Sequence, residues 1–84
     1  MIMNKIIKEL IDYYDNKNII IYIDKEDDLK IKLIVKTKFL NKKDYYEEDL
    51  EIKKDFITKE NKEIIKNGIN YLIHNSLDRI LRGE

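Results

Sequence analysis

Between Ile2 and Tyr14 apolar residues recur at Ile2, Ile6, Ile7, Leu10, Ile11 and Tyr14, with Lys5, Lys8, Glu9 and Asp12 on the opposite side. That spacing predicts an amphipathic helix. The polar run Asp15-Asn16-Lys17-Asn18 ends it, and Ile19 to Ile23 then reads as a short strand with apolar residues on both faces. Asp24 to Asp28 is expected to be a loop.

From Leu29 to Phe39 the period changes to two. Leu29, Ile31, Leu33, Val35 and Phe39 share one face, and Lys30, Lys32, Ile34, Lys36 and Lys38 the other, as in a half-buried strand. After the turn Asn41-Lys42-Lys43-Asp44 the period returns, with Tyr46, Leu50, Ile52 and Phe56 inward and Glu47, Asp49, Glu51, Lys53 and Asp55 outward. This predicts a third strand, although Tyr45 to Asp49 also reads as loop. An antiparallel hairpin can pair Phe39 with Tyr46, Val35 with Leu50, Leu33 with Ile52 and Leu29 with Phe56. The same register sets Lys38 against Glu47, Lys36 against Asp49 and Lys30 against Asp55, opposite-charge pairs worth about 0.2 to 1 kcal/mol each.

Thr58 is a suitable N-cap for the helical pattern of Ile64, Ile65, Ile69, Leu72, Ile73, Leu77, Ile80 and Leu81. Gly68, after Asn67, costs a helix interior about 1 kcal/mol relative to Ala, so one long helix or two shorter ones fit, and a break or kink is expected there. The predicted fold is therefore α+β, a single domain over residues 1–84. It is a two-layer arrangement of order α-β-β-β-α(α), with a three-stranded antiparallel meander under an N-terminal helix and a C-terminal helix or helix pair. The face carrying Leu29, Leu33, Val35, Leu50 and Ile52 should receive both helices. A continuous last helix of about 36 Å would outrun a sheet of about 25 Å, so Leu77, Ile80 and Leu81, with Arg79 and Arg82, are expected to overhang.

Composition narrows the function. Seventeen basic and 17 acidic residues leave no net charge, so any electrostatic action is local. With no Cys there is no disulfide or thiolate metal site, and Met-Ile-Met-Asn-Lys lacks a leader's apolar run, so a cytoplasmic protein is expected. The longest apolar run is far below the roughly 20 residues that span a bilayer. Seventeen Ile, 15 Lys and 8 Asn against one Val and no Ala or Pro reflect AT-rich coding, as in low-GC bacteria and their phages.

Catalytic apparatus is not visible. His74 is the lone histidine, Ser76 has no base nearby in sequence, and Gly68 and Gly83 cannot make a phosphate loop, so neither enzyme activity nor a cofactor nor a metal is expected. The surface offers more. One acidic cluster, Asp24, Glu26, Asp27 and Asp28, lacks the Gly and terminal Glu of a calcium loop. With Glu47, Glu48 and Asp49 it reads as solvated turns or as a phosphate mimic for an arginine-rich partner groove. On the outer sheet face Lys30, Lys32, Lys36 and Lys38 could contact nucleic acid, but the third strand sets acids beside them. Ile20, Tyr22 and Ile34 on the same face are apolar and uncovered, which suggests a partner or homodimer contact.

The element order, the opening Met3-Asn4-Lys5-Ile6-Ile7-Lys8-Glu9-Leu10-Ile11 and the segment Lys66-Asn67-Gly68-Ile69-Asn70 resemble small phage-encoded anti-CRISPR proteins that block Cas9 by mimicking DNA. The resemblance implies a non-enzymatic inhibitor of a host protein or ribonucleoprotein complex, with Asp24, Glu26, Asp27, Asp28, Glu47, Glu48 and Asp49 in the partner's DNA groove. The same order resembles the double-stranded-RNA-binding domain, whose lysine-rich motif would fall at Thr58-Lys59-Glu60-Asn61-Lys62. That implies a nucleic-acid-binding accessory protein as the alternative, and a self-assembling structural subunit is the third reading.

Overall fold

The computed structural model describes residues 5–14, 18–39 and 45–83. The elements are α1 (Lys5–Tyr13), β1 (Ile19–Glu26), β2 (Lys30–Thr37), β3 (Tyr46–Lys53), a 3-10 turn (Lys54–Phe56) and α2 (Lys62–Leu81). The strands form one antiparallel meander in the order β1-β2-β3, so the α+β order expected from the periodicities is the order of the fold. The expected helix start at Ile2, the polar break over residues 15–17 and the turn over residues 41–44 lie outside the described residues.

The two periodicities meet in one core. Ile7 and Leu10 from α1, Ile31, Leu33 and Val35 from β2, and Ile65, Ile69 and Ile73 from α2 belong to a single buried cluster. In α2 the burial recurs every three or four residues, and in β2 at every second residue from Ile31 to Thr37 with Ile34 buried besides, so each element turns one face inward. Both helices therefore lie on the same side of the sheet. Among the described residues that cluster holds no charged side chain, but the hydroxyls of Thr37 and Ser76 and Oε1 of Glu26 are buried without a hydrogen-bond partner.

Four local expectations are corrected. First, β1 runs on to Glu26, so Asp24, Lys25 and Glu26 are strand and not loop. An irregularity between Ile23 and Lys25 absorbs the extra residue as a bulge. The turn is then closed by Asp27, whose Oδ1 accepts the N–H groups of Leu29 at 2.7 Å and Lys30 at 2.9 Å.

Second, the β2–β3 register is displaced by two residues. Leu33 faces Leu50, Ile31 faces Ile52, Lys36 faces Glu47 and Lys32 faces Glu51, while Val35 falls opposite Glu48 and Lys30 opposite Lys53. A slip of two leaves every side chain on its own face, so the faces are as expected although the partners differ. At the sheet's ends the inward stripe stops: Leu29 sits in the turn at 78% exposure, Phe39 lies beyond the end of β2, and Phe56 lies in the 3-10 turn.

Third, α2 runs unbroken through Gly68. Burial of Ile65, Ile69 and Ile73 against the sheet outweighs the glycine's entropy cost. Its backbone needs no positive φ, and a methyl group there would meet nothing within 4 Å beyond its chain neighbours and the helix's own backbone. Gly68→Ala is thus expected to raise stability by about 1 kcal/mol, read as a higher urea midpoint at an unchanged slope. The regular helix begins only at Lys62, and Thr58 caps the turn before it, its Oγ1 accepting the Asn61 N–H at 3.3 Å.

Fourth, the end of α2 does not overhang as a unit. Ile80 is buried and Leu77 packs partly against the core, leaving Leu81 exposed. Asn75 Nδ2 and Arg79 Nη1 both donate to Glu48 Oε1, at 3.1 and 3.2 Å, and tie these last turns to β3. Among the described residues no helix is long and apolar enough to cross a membrane.

Candidate functional site

With both helices on one side, the other face of the sheet is left to the outward residues. The register sets Tyr22 of β1 opposite Ile34 of β2, and Ile34 opposite Asp49 of β3, so these three form a row across the strands. Lys32 and Lys36 flank Ile34 along β2, two residues away on either side. Although it belongs to the outer face, Ile34 is only 7% exposed, a correction to the expectation that it stands uncovered. Tyr22 stands opposite it, and the long side chains of Lys32 and Lys36 on the same face are of the kind whose stems cover an apolar neighbour. Ile20 and Tyr22, by contrast, are exposed at about 40%, as expected.

Around this apolar floor the charges alternate. Lys32 Nζ lies 3.9 Å from Asp24 and 3.4 Å from Asp49, and Lys36 Nζ lies 3.7 Å from Glu47 and 5.6 Å above the Tyr22 ring. Further along, Lys30 Nζ meets Glu51 at 2.7 Å, and that carboxylate raises the ammonium's pKa. Tyr22, Asp24, Lys32, Ile34, Glu47, Glu48 and Asp49 line a shallow depression of about 320 Å³.

Six of the ten residues singled out for partner binding thus line one depression, Tyr22, Asp24, Ile34, Glu47, Glu48 and Asp49, with Ile20 beside them. The acidic cluster of β3 is divided by the strand's period of two. Glu47 and Asp49 face out, whereas the side chain of Glu48 points to the helices and accepts from Asn75 and Arg79. Its parity with Tyr46 and Leu50 carried that signal in the sequence.

The other acids are elsewhere. Glu26 turns toward the core side, with Oε2 2.9 Å from Lys54 Nζ. Asp27 holds the hairpin turn, and the Leu29 and Lys30 amides keep its carboxyl below the usual carboxylate range. Asp28 stands exposed at the same turn.

The four candidate phosphate-binding lysines are all engaged, since Lys38 lies 5.2 Å above the Tyr45 ring and the other three meet carboxylates. Glu51 compensates Lys30, and its outward parity with Glu47 and Asp49 is the signal in the sequence that places it on this face. His74 is exposed on α2, and among the described residues no group of three metal-ligating side chains comes together.

No protein-family model, curated protein or solved structure matches the chain. The outer-face depression therefore carries the functional reading through its geometry alone.

Proposed function

We propose that the chain is a non-enzymatic interaction protein of the cytoplasm that docks on a host macromolecular complex through this depression, as an inhibitor or modulator of the anti-CRISPR kind. The observation that supports it is the convergence of Asp24, Glu47 and Asp49 with the Tyr22 ring around the apolar floor of Ile34. A partner's guanidinium fits such a site: carboxylates accept its forked N–H groups and the ring takes its flat face. Lys32 and Lys36 hold those acids in solvent-accessible ion pairs worth about 0 to 1 kcal/mol, so an incoming arginine exchanges for them at little cost.

Because the whole chain is neutral, attraction is confined to this patch, and partners are selected by fit and not by long-range steering. The lysines provide weaker support for nucleic-acid binding, since each phosphate would compete with a carboxylate or ring already in place.

The test is target cleavage by a guide-loaded Cas9-type nuclease from a low-GC bacterium. The chain is expected to slow cleavage, and the Asp24→Lys/Asp49→Lys variant, folded by circular dichroism, to need about tenfold more protein for the same effect. Unchanged cleavage in a large molar excess of the chain would overturn the anti-CRISPR reading.

A further inference from the structure

β1 and β3 are the two edges of the sheet, and they are built differently. In the antiparallel register of β1 with β2, Asn18 pairs with Lys38, and the Lys38 N–H donates to the Asn18 carbonyl at 2.9 Å. Hydrogen-bonded and non-hydrogen-bonded pairs alternate along such a ladder, so Asn18, Ile20 and Tyr22 bond to β2. The N–H and C=O groups of Ile21 and Ile23 consequently point away from β2, toward the open edge. On β3 the same reasoning starts from the Lys54 N–H, which donates to the Leu29 carbonyl at 2.8 Å. It turns the main chain of Glu47, Asp49 and Glu51 outward.

The β3 edge is guarded against its own kind. Paired antiparallel with a second β3 and centred anywhere from Glu47 to Glu51, it sets acid against acid, at Glu47–Asp49, Asp49–Glu51 or an acid on itself. β1 has no such guard over Ile19 to Ile23, where all five residues are apolar. The first charges, Asp24 and Lys25, occur only at the bulge that ends the regular ladder. Natural sheets usually protect a free edge with charge, proline or an early bulge, and a long apolar edge without them is a template for another strand.

We propose that the β1 edge is a self-association site whose occupant is β1 of a second copy, joined antiparallel about a twofold axis through Ile21. The N–H and C=O of Ile21 exchange two hydrogen bonds with Ile21 of the other copy. Ile20 then lies opposite the other copy's Tyr22 on the outer face, and Ile19 opposite its Ile23 on the inner face. Every facing pair is apolar, and Ile20–Tyr22 is a β-branched and aromatic pair of the kind that stabilises sheets. Centring on Tyr22 is poorer, because it brings Ile20 against Asp24. The twofold arrangement keeps the helices of both copies on one side and makes a continuous six-stranded sheet. It shares Tyr22 with the docking depression but is carried by the main-chain edge of β1, and the cysteine cross-link reads it whether or not that reading stands.

Light scattering of the wild-type chain at about 1 mM is expected to give a mass twice the 10.2-kDa chain, and the Ile20→Lys/Tyr22→Lys variant a monomer. A cysteine-free chain also permits a test of the register that does not depend on that variant folding. Non-hydrogen-bonded partners lie about 4.5 Å apart, within disulfide reach, whereas two Tyr22 positions related by the axis are diagonal neighbours about 7 to 8 Å apart. Oxidation of mixed Ile20→Cys and Tyr22→Cys chains should therefore give the mixed disulfide dimer in preference to either self-linked dimer. A monomer at the highest concentration, a dimer undisturbed by the double Lys substitution, or preferential self-linking of Tyr22→Cys would each overturn the proposal.

Discussion

Leu33→Ala is expected to lower the unfolding free energy by about 3 kcal/mol, within the 2 to 5 kcal/mol typical of a truncated buried leucine. Leu33 lies at the middle of the central strand, fully buried, with Ile23 opposite it on β1 and Leu50 opposite it on β3. Neighbours on two strands cannot both close in on the space it would leave, so the cavity term persists. A domain of this size is stable by about 4 to 13 kcal/mol in all, which makes the loss a large share of the total.

In urea the midpoint should fall with the slope unchanged. Leu29→Ala provides the contrast, because Leu29 belongs to the same sequence stripe yet is exposed in the hairpin turn. It should shift stability by less than about 0.5 kcal/mol. Equal losses at the two positions would show that the inward stripe reaches the turn after all.

Those two leucines also mark where the sequence stops being readable. Periodicity identifies both helices, β2 and β3 with the inward face of each, because burial in one direction imposes 3.6 or 2.0 on the pattern, and the unbroken apolar run marks β1 without naming its inward face. Periodicity cannot fix the β2–β3 register. Lysines recur at Lys30, Lys32, Lys36 and Lys38, and acids at Glu47, Asp49 and Glu51, so the charges match about equally well in the expected register and in one displaced by two. The apolar pairs do not decide it either, since Leu33 against Leu50 and Ile31 against Ile52 are as apolar as the expected Val35 against Leu50 and Leu33 against Ile52.

Gly68 shows the same limit from another side. Its propensity cost is local, whereas the burial of Ile65, Ile69 and Ile73 that overrides it depends on the sheet lying beneath. Of the candidate site, the outward acids and Tyr22 were legible by parity. Their assembly around a covered Ile34 was not, since it needs β1 on one side of β2 and β3 on the other. The bulge after Ile23 was equally hidden, because Asp24, Lys25 and Glu26 have the composition of a loop while continuing an edge strand.

Tyr14→Phe is expected to destabilise the protein by about 1 to 1.5 kcal/mol, the usual contribution of a hydrogen bond that is partly buried. The side chain belongs to the core cluster, and its hydroxyl lies 2.5 Å from Asn70 Oδ1 and 3.2 Å from the Lys66 carbonyl. It thereby links the end of α1 to the middle of α2 across more than fifty residues of sequence. At nine residues α1 is too short to persist by itself and depends on Ile7, Leu10 and this link. Hydrogen exchange in α1 of the variant should accordingly accelerate more than in β2.

The alkaline limb separates this from simple loss of packing. Burial raises the pKa of the Tyr14 hydroxyl above its ordinary 10.0, with Tyr13 and Glu63 adding to the shift. A raised pKa means that the folded chain keeps a proton the unfolded chain gives up. The associated stability is complete below pH 10 and is lost as pH climbs through the folded value. The gap in urea midpoint between wild type and Tyr14→Phe should therefore be constant from about pH 7 to 9 and narrow above about pH 10. A gap that holds its full width to pH 11 would show that the Tyr14 hydroxyl is not held protonated by the fold.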